Sequence, residues 1–235
     1  MNRPLYLLDP YMKEFDAVVS DAKGKFVVLD NTAFYPNSGG QPHDTGVMIV
    51  DGAEYRVVYA GKFGGNISHE VDREGLKAGD RVKCAVDWQR RHVLMRMHTA
   101  AHILSAIINK ETGALITGNQ LDVDQSRIDF SLEVLDREKI AEYVRMANVA
   151  VARNIEIKQY FLKREEAMKI PGVVKLASAL PPAVEELHMV GIGDVDLQAD
   201  GGPHVSNTKE VGAIELVKLE NKGKNNRRIY YTLKQ

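Results

Sequence analysis

The first 87 residues alternate apolar and polar positions in short runs, and glycine- and aspartate-rich turns separate these runs. A two-residue period is typical of half-buried β-strands, and pairs such as Asp51-Gly52 and Gly64-Gly65 favour tight turns between them. The runs that predict strands are residues 15–20, 25–29, 47–50, 55–59 and 81–86. Strands of this length at this spacing predict a small antiparallel β-barrel.

The pattern changes near residue 87, because apolar positions then recur every three or four residues. Asp87 is a typical N-cap residue, and the pattern after it predicts a helix that continues through Asn109. Gly113 is the signal that ends this helix. A second helix is predicted to begin at Asp136, and a short third helix is predicted over residues 163–169.

Strands are predicted among these helices, at residues 155–161, 188–192, 212–219 and 228–233. Their order lacks the regular strand–helix–strand alternation of a parallel α/β fold, so the second half is expected to have an α+β fold. We therefore expect two domains in the 235 residues, a barrel over residues 1–87 and an α+β domain over residues 88–235.

Composition limits the classes of protein that remain. Hydrophobic residues make up 44% and charged residues 27%, which are ordinary values for a globular protein. Cys84 is the single cysteine, so no disulfide forms within the chain, and we expect a reducing, cytoplasmic location. No apolar run approaches the ~20 residues that span a bilayer, so no membrane partner is expected. A net charge of −1 argues against non-specific duplex binding, and no DNA partner is expected.

Two separated segments carry the side chains best suited to chemistry. His98 and His102 are four residues apart in the first predicted helix, so their imidazoles lie on one face. About a hundred residues later, Asp200 and His204 flank the turn-forming segment Gly201-Gly202-Pro203. Imidazole nitrogen and carboxylate oxygen both bind zinc at about 2.0–2.2 Å. Three histidines and one carboxylate are therefore candidates for one zinc site.

Other interpretations of these histidines remain open. A histidine pair four residues apart is common on ordinary helices, and sequence does not reveal long-range pairing. The remaining histidines are expected to lie at the surface or to be hydrogen-bonded within the fold: His43, His69, His92 and His188.

The glycine-rich segment 31–46 is a second candidate site. Gly39 and Gly40 permit backbone conformations closed to other residues and a close approach of the backbone to a ligand. The segment lacks the Gly-Lys-Ser/Thr of a phosphate-binding P-loop, so nucleotide hydrolysis is not expected. It could equally be a hairpin connection.

Basic residues cluster in two places, where they form either a solvated face or a phosphate-binding surface. Three lie in the first predicted helix, and six lie in the last eighteen residues: Arg90, Arg91, Arg96, Lys218, Lys222, Lys224, Arg227, Arg228 and Lys234.

Five motifs in order resemble those of one known family. Residues 34–46 read Phe-Tyr-Pro-x-x-Gly-Gly-Gln-Pro-x-Asp-x-Gly, and residues 98–104 read His-Thr-Ala-Ala-His-Ile-Leu. Three more segments follow, at residues 126–131, 191–194 and 200–212. Together they resemble the AlaX family, free-standing relatives of the alanyl-tRNA synthetase editing domain, over roughly residues 8–220. The chain contains both the glycine-rich half and the editing half, which indicates the medium-length class of that family.

The resemblance implies a fold and an activity. It implies a small N-terminal barrel carrying the glycine-rich motif, followed by an α+β editing domain of the threonyl/alanyl-tRNA synthetase type. It implies hydrolysis in trans of mischarged tRNA(Ala), chiefly carrying serine and also glycine, with the tRNA acceptor end as the partner. It further implies one Zn²⁺ per chain at His98, His102 and His204, with Asp200 as the fourth ligand.

The chain departs from the family pattern at two positions. Asp200 stands where the family usually has cysteine, and Pro203 where it usually has threonine. A carboxylate is a harder ligand for zinc than a thiolate, so the ion is held either by three histidines and Asp200 or by three histidines and water. Weaker zinc binding, another divalent ion and loss of activity remain open. Cys84 lies in the barrel half and is not assumed to replace the missing thiolate.

The role of the metal and the identity of the substrate contacts stay open. Zinc either activates water or orients the substrate through its amino group. A site that pairs the serine hydroxyl discriminates better than an apolar pocket does. The substrate-binding candidates are Thr32, Gly39, Gly40, Thr117 and Gln120. The competing functions are a catalytically weakened module that binds aminoacyl-tRNA and a metal-dependent hydrolase of small esters.

Overall fold

The computed structural model describes residues 3–170, 173 and 184–234. The chain divides into two compact units, Met1–Leu94 and Met95–Gln235. The division lies inside a long helix, Trp88–Thr112, which we call α2.

The first unit is a closed barrel of six antiparallel strands, which confirms the predicted barrel. A short helix, α1 (Leu5–Leu8), precedes the barrel. The strands are β1 (Glu14–Lys23), β2 (Phe26–Leu29), β3 (Gly46–Val50), β4 (Ala53–Phe63), β5 (Asn66–Val71) and β6 (Arg81–Val86). They follow the order β1-β2-β5-β4-β3-β6 around the barrel. Alternate side chains fill the interior, as Val27, Met48 and Val82 do, each at most 1% exposed.

The sequence prediction missed β5. Its two innermost side chains are His69 and Val71, and a buried histidine interrupts the apolar–polar alternation that marks a strand. The strand pairs with β2 and β4, so it closes the barrel between them.

The helices of the second half begin where the sequence predicted. The Asp87 carboxylate accepts a hydrogen bond from the Arg90 backbone at 3.1 Å and caps α2. Asp136 does the same for α3 (Arg137–Ala152), accepting from the backbone N–H groups of Glu138 and Lys139. The predicted short third helix is observed as α4 (Arg164–Ala167). None of the helices in the described residues combines the length and the apolar character needed to cross a bilayer.

Two antiparallel sheets complete the described part of the second unit. Their strands are β7 (Ile116–Gln120), β8 (Ser126–Phe130), β9 (Ile157–Lys163), β10 (Glu186–Ile192), β11 (Asp196–Ala199), β12 (Ala213–Asn221) and β13 (Arg227–Lys234). The sheet orders are β11-β10-β9 and β12-β13-β8-β7. This mixture confirms the predicted α+β class. The sequence prediction missed β7 and β11, because both are short and carry polar residues.

Contacts with the second sheet hold α2 in place within this unit. Tyr231 of β13 is fully buried, and its hydroxyl donates to the Met97 carbonyl oxygen at 2.8 Å. The Arg96 guanidinium donates to the Val211 carbonyl oxygen at 2.9 Å, just before β12. The buried face of the helix carries Leu104 and Ile108. These contacts fix the rotation of α2, and therefore the direction in which its histidines point.

Candidate metal centre

Four side chains of the second unit come together in one cluster: His98, His102, Asp200 and His204. Each offers one ligand atom, and these atoms all lie within 4.8 Å of one another. Helix α2 supplies two histidines one turn apart, and the loop after β11 supplies the other two residues. The three histidines are buried, whereas the Asp200 side chain remains 24% exposed.

The histidine ring nitrogens converge on the Asp200 carboxylate. The Nε2 atoms of His98 and His102 lie 3.5 Å and 3.7 Å from Asp200 Oδ2. His204 Nε2 lies 3.5 Å from Asp200 Oδ1. The same nitrogen of each ring therefore faces the centre of the cluster, as a set of ligands to one cation requires.

The loop that carries Asp200 depends on a glycine. The Gly202 backbone N–H donates to Asp200 Oδ1 at 2.6 Å and closes a tight turn. A Cβ atom at Gly202 would lie 2.4 Å from Cε1 of His98, closer than side chains tolerate. His188 supports the loop from β10, since its Nδ1–H donates to the Asp200 carbonyl oxygen at 2.7 Å. The glycine thus lets the loop backbone approach the helix histidines.

Polar groups behind the cluster orient two of the imidazoles. His102 Nδ1 lies 3.0 Å from Asp196 Oδ2, and a carboxylate only accepts, so this nitrogen carries a hydrogen. The Gln198 amide also donates to Asp196 and holds the carboxylate in place. His204 Nδ1 forms a 3.1 Å hydrogen bond with the Thr99 hydroxyl. Such outer partners are typical of metal-binding histidines, because they fix the ring and direct Nε2 towards the ion.

The electrostatics of the cluster favour a cation at its centre. Burial raises the pKa of Asp200, but the three imidazoles around it hold that pKa well below its usual range. Burial, together with the charges on His98 and His102, lowers the pKa of His204 to about 3. Burial also opposes charge on His102, yet the carboxylates of Asp196 and Asp200 raise its pKa to about 9. A carboxylate anion and a neutral His204 are the protonation states that bind a metal.

A buried nitrogen without a partner supports this fit. Among the described residues, His98 Nδ1 and His204 Nε2 are buried without a hydrogen-bond partner. Buried polar atoms usually have partners, and the unpaired His204 nitrogen is the one that faces the cluster. Three imidazole nitrogens and one carboxylate oxygen are a set that zinc accepts. The residues present therefore fit a divalent cation.

The candidates from the glycine-rich segment lie in the first unit. Thr32 is buried, and its hydroxyl forms hydrogen bonds within the barrel. Gly39 and Gly40 have φ angles of +60° and +84°, conformations that glycine adopts without strain. They form the tight turn between Ser38 and Gln41, which exchange two backbone hydrogen bonds.

The other two substrate-binding candidates lie exposed on β7, outside the metal cluster. The Thr117 hydroxyl donates to the Asn226 side chain at 2.9 Å. The Gln120 side chain accepts from Arg127 at 3.2 Å. Cys84 is buried inside the barrel, and burial raises the pKa of its thiol to about 12, so it remains a neutral thiol.

Most of the clustered basic residues form hydrogen bonds or ion pairs with other residues of the chain, and those of Lys218, Lys222 and Lys234 lie at the surface. Arg91 is fully buried against Asp44, and Arg227 donates to four backbone carbonyl groups. Arg228 pairs with Asp129. Lys218 and Lys222 both pair with Glu220, and Lys234 pairs with Glu215. These contacts weaken the interpretation of the C-terminal cluster as a phosphate-binding surface.

Sequence reasoning missed the residues behind the metal cluster. Asp196, Gln198 and Thr99 were not singled out, because nothing in the local sequence indicates that they face a histidine. The one available signal was indirect: Thr99 lies inside the motif that holds His98 and His102.

Two families match separate parts of the chain. Residues 6–90 match the family described as tRNA synthetases class II (A). Residues 187–230 match the family described as Threonyl and Alanyl tRNA synthetase second additional domain. The second match contains the metal-cluster residues Asp200 and His204.

Individual relatives match nearly the whole chain. The alanyl-tRNA editing protein AlaX-M of Methanosarcina barkeri is 52% identical over 99% of both chains. AlaX-M of Saccharolobus solfataricus is 45% identical over 100% of both. The alanine–tRNA ligase of Pyrococcus furiosus is 39% identical over 93% of this chain, which corresponds to 24% of the ligase. The similarity to the ligase is therefore confined to about a quarter of that enzyme.

Proposed function

The chain belongs to the AlaX-M family of alanyl-tRNA editing proteins, and we propose that it hydrolyses the aminoacyl ester of mischarged tRNA(Ala). Serine is the chief amino acid removed, and glycine is the second. The observation that carries this proposal is the cluster of three histidines and one aspartate within the unit that matches the editing-domain family. The acceptor end of tRNA(Ala) is the part of the partner that the site must receive.

We propose zinc as the metal, held by Nε2 of His98, His102 and His204 and by the Asp200 carboxylate. When bound, zinc supplies Lewis-acid chemistry, by acidifying water or by holding the substrate's amino group. Asp200 stands in for the thiolate that the family usually has, and a carboxylate preserves a negatively charged ligand at that position. A metal-content assay on the purified protein tests this assignment, and protein that is active without any bound metal would contradict it.

The chain's own residues position the reacting groups. Asp196 holds the His102 ring so that Nε2 faces the cluster, and Gln198 holds Asp196. Gly202 leaves space beside His98 and donates to the Asp200 carboxylate. No sequence pattern or described cluster supplies a Ser-His-Asp arrangement, so direct hydrolysis is favoured over a covalent intermediate.

Two groups of residues are the proposed substrate contacts. Thr32 is proposed to form a hydrogen bond with the seryl hydroxyl, and the turn at Gly39 and Gly40 is proposed to bring backbone close to the substrate. Thr117 and Gln120 are the second pair of candidates.

In this proposal residues 1–87 form the domain of the glycine-rich motif and residues 88–235 the editing domain. The location is the cytoplasm, where a single free cysteine remains reduced.

A deacylation assay tests the proposal directly. The protein is incubated with Ser-tRNA(Ala), Gly-tRNA(Ala) and Ala-tRNA(Ala), with a chelator, without it, and after zinc is added back. We expect rapid loss of serine, slower loss of glycine, little loss of alanine, and inhibition by the chelator that zinc reverses. Absence of hydrolysis with every divalent metal would contradict the editing function and favour a module that only binds aminoacyl-tRNA.

A further inference from the structure

Asp200 differs from the other three residues of the metal cluster in its ligand atom and in its exposure. Its side chain is 24% exposed and offers oxygen, whereas the histidine side chains are at most 8% exposed and offer nitrogen. All four residues belong to the second unit. The chemical character of the fourth ligand is therefore set by this one carboxylate.

The two oxygens of the Asp200 carboxylate have different surroundings. Oδ1 accepts the Gly202 backbone N–H at 2.6 Å. Oδ2 lies 3.5 Å and 3.7 Å from the Nε2 atoms of His98 and His102. The hydrogen bond from Gly202 fixes the orientation of the carboxylate, as outer partners of ligating carboxylates usually do. Asp200 therefore presents a fixed oxygen atom to the space between the imidazoles.

The cluster offers no thiolate ligand. Among the described residues, the groups that come together here are three histidines and one aspartate. Cys84 is the single cysteine of the chain, and it is buried among the barrel strands of the first unit. Burial raises the pKa of its thiol to about 12, and a protonated thiol is not a metal ligand. The ligand set is therefore three nitrogens and one oxygen.

The softness of the ligands decides which cations such a set prefers. Thiolates select soft cations, imidazoles suit zinc, copper, iron and nickel, and carboxylates suit harder cations such as manganese. A carboxylate carries the same negative charge as a thiolate. Asp200 therefore keeps the electrostatic attraction for a divalent cation without a preference for soft ones.

We propose that Asp200 selects the cation of this site, which takes borderline divalent cations such as Zn²⁺ and Co²⁺ and discriminates against soft, thiol-seeking cations such as Cd²⁺. The inference rests on the proposed metal centre and deepens it, because it states which class of cation the site disfavours. It uses only contacts within the second unit.

Two substitutions separate the softness of this ligand from its charge. Asp200→Cys supplies a soft sulfur ligand of the same charge. Asp200→Asn keeps an oxygen atom at nearly the same place but removes the charge. Asp194→Cys is the matched control for an added thiol, because Asp194 is 71% exposed, pairs with Arg153 and lies outside the metal cluster.

Competition with a chelating dye measures the Kd values of Zn²⁺ and Cd²⁺ for each protein, without tRNA. We expect Asp200→Cys to raise the affinity for Cd²⁺ relative to Zn²⁺ at least about tenfold, because sulfur favours the softer cation. Asp200→Asn should weaken the binding of both cations, since the negative charge is lost, and should leave their ratio unchanged. Asp194→Cys should bind both cations as the natural protein does.

Cobalt spectra test whether residue 200 contacts the ion. The Co²⁺ form of Asp200→Cys should show a thiolate-to-cobalt charge-transfer band, which the natural protein and Asp194→Cys should lack. Absence of this band, or a Cd²⁺-to-Zn²⁺ affinity ratio equal to that of the natural protein, would overturn the inference. An equal rise of the ratio in Asp194→Cys would also overturn it.

Cadmium NMR of the natural protein tests the ligand set even if Asp200→Cys fails to fold. A chemical shift in the range of nitrogen and oxygen ligands supports the inference, and a shift in the range of sulfur ligands overturns it. Failure of the proposed function would be distinct. A protein with the expected cation preference that releases no serine from tRNA would contradict the editing function alone.

Discussion

Two buried polar clusters, one in each unit, differ in how completely their polar atoms are paired. In the first unit, the Arg91 guanidinium donates to the Asp44 carboxylate and to the carbonyl oxygens of Pro10 and Ala33. Asp44 also accepts from the Tyr35 backbone at 2.6 Å. Each of these bonds links separate parts of the chain, so this cluster stabilises the fold.

In the second unit, three imidazoles converge on one carboxylate at 3.5–3.7 Å, longer than good hydrogen bonds. A buried nitrogen, His204 Nε2, has no hydrogen-bond partner among the described residues. The difference shows that buried charge alone does not identify a site. A convergence of incompletely paired acceptors does identify a site, because a bound ligand has to offset the stability that is lost when these acceptors are buried.

Removal of the helix histidines should give the largest effect. We expect His98→Ala/His102→Ala to lower serine removal by more than about 100-fold, since loss of even an outer partner of a metal costs 10- to 100-fold. His92→Ala is the control, because His92 lies on the same helix, stacks on Trp88 and is outside the metal cluster. Full activity in the double variant would remove the metal from the mechanism.

Removal of the Asp44 carboxylate should mainly affect stability. Asp44→Ala leaves Arg91 buried without its partner, and the free energy of unfolding should fall by about 3–5 kcal/mol. Urea denaturation measures the change. Asp72→Ala is the control, because Asp72 pairs with Arg56 at the surface, and that variant should change stability little. Similar losses in the two variants would contradict the structural role of the buried pair.

Substitution of Asp196 should give an intermediate effect that is confined to the metal site. Asp196→Asn should weaken zinc binding or lower activity about 10- to 100-fold, because His102 loses the carboxylate that orients it. Asp194→Asn provides the control two residues away, where the side chain is exposed and pairs with Arg153. Competition with a chelating dye measures zinc affinity, and equal affinities in the two variants would exclude a role for Asp196.

The smallest expected effect is a pH dependence of stability from His69. Its pKa in the folded protein, about 4, is below the usual 6.5, so the unfolded chain binds more protons between these values. Its contribution to stability is complete above pH 6.5 and is lost as pH falls towards 4. From pH 7.5 to 6 the loss should be about 1 kcal/mol. Urea denaturation of the natural protein and of His69→Gln isolates this contribution, and identical pH slopes would contradict it.

Much of the fold could be predicted from local sequence. Five of the six barrel strands were predicted from short apolar or alternating runs bounded by turn residues, and α2 and α3 begin at aspartates whose carboxylates cap the first turn. These signals are local, because a strand or a helix buries one face in a fixed register. Strand β5 was missed because His69 faces inward, where the pattern predicts an apolar residue.

Local sequence specifies the types of element, the spacing of His98 and His102, and the motif that holds Asp200 and His204. The tertiary fold brings these two segments together, since about a hundred residues separate them and backbone geometry places no constraint over that distance. The fold also sets which buried polar groups are paired. Asp196 faces His102 and His69 faces Thr32 because sheet register and helix rotation put them there.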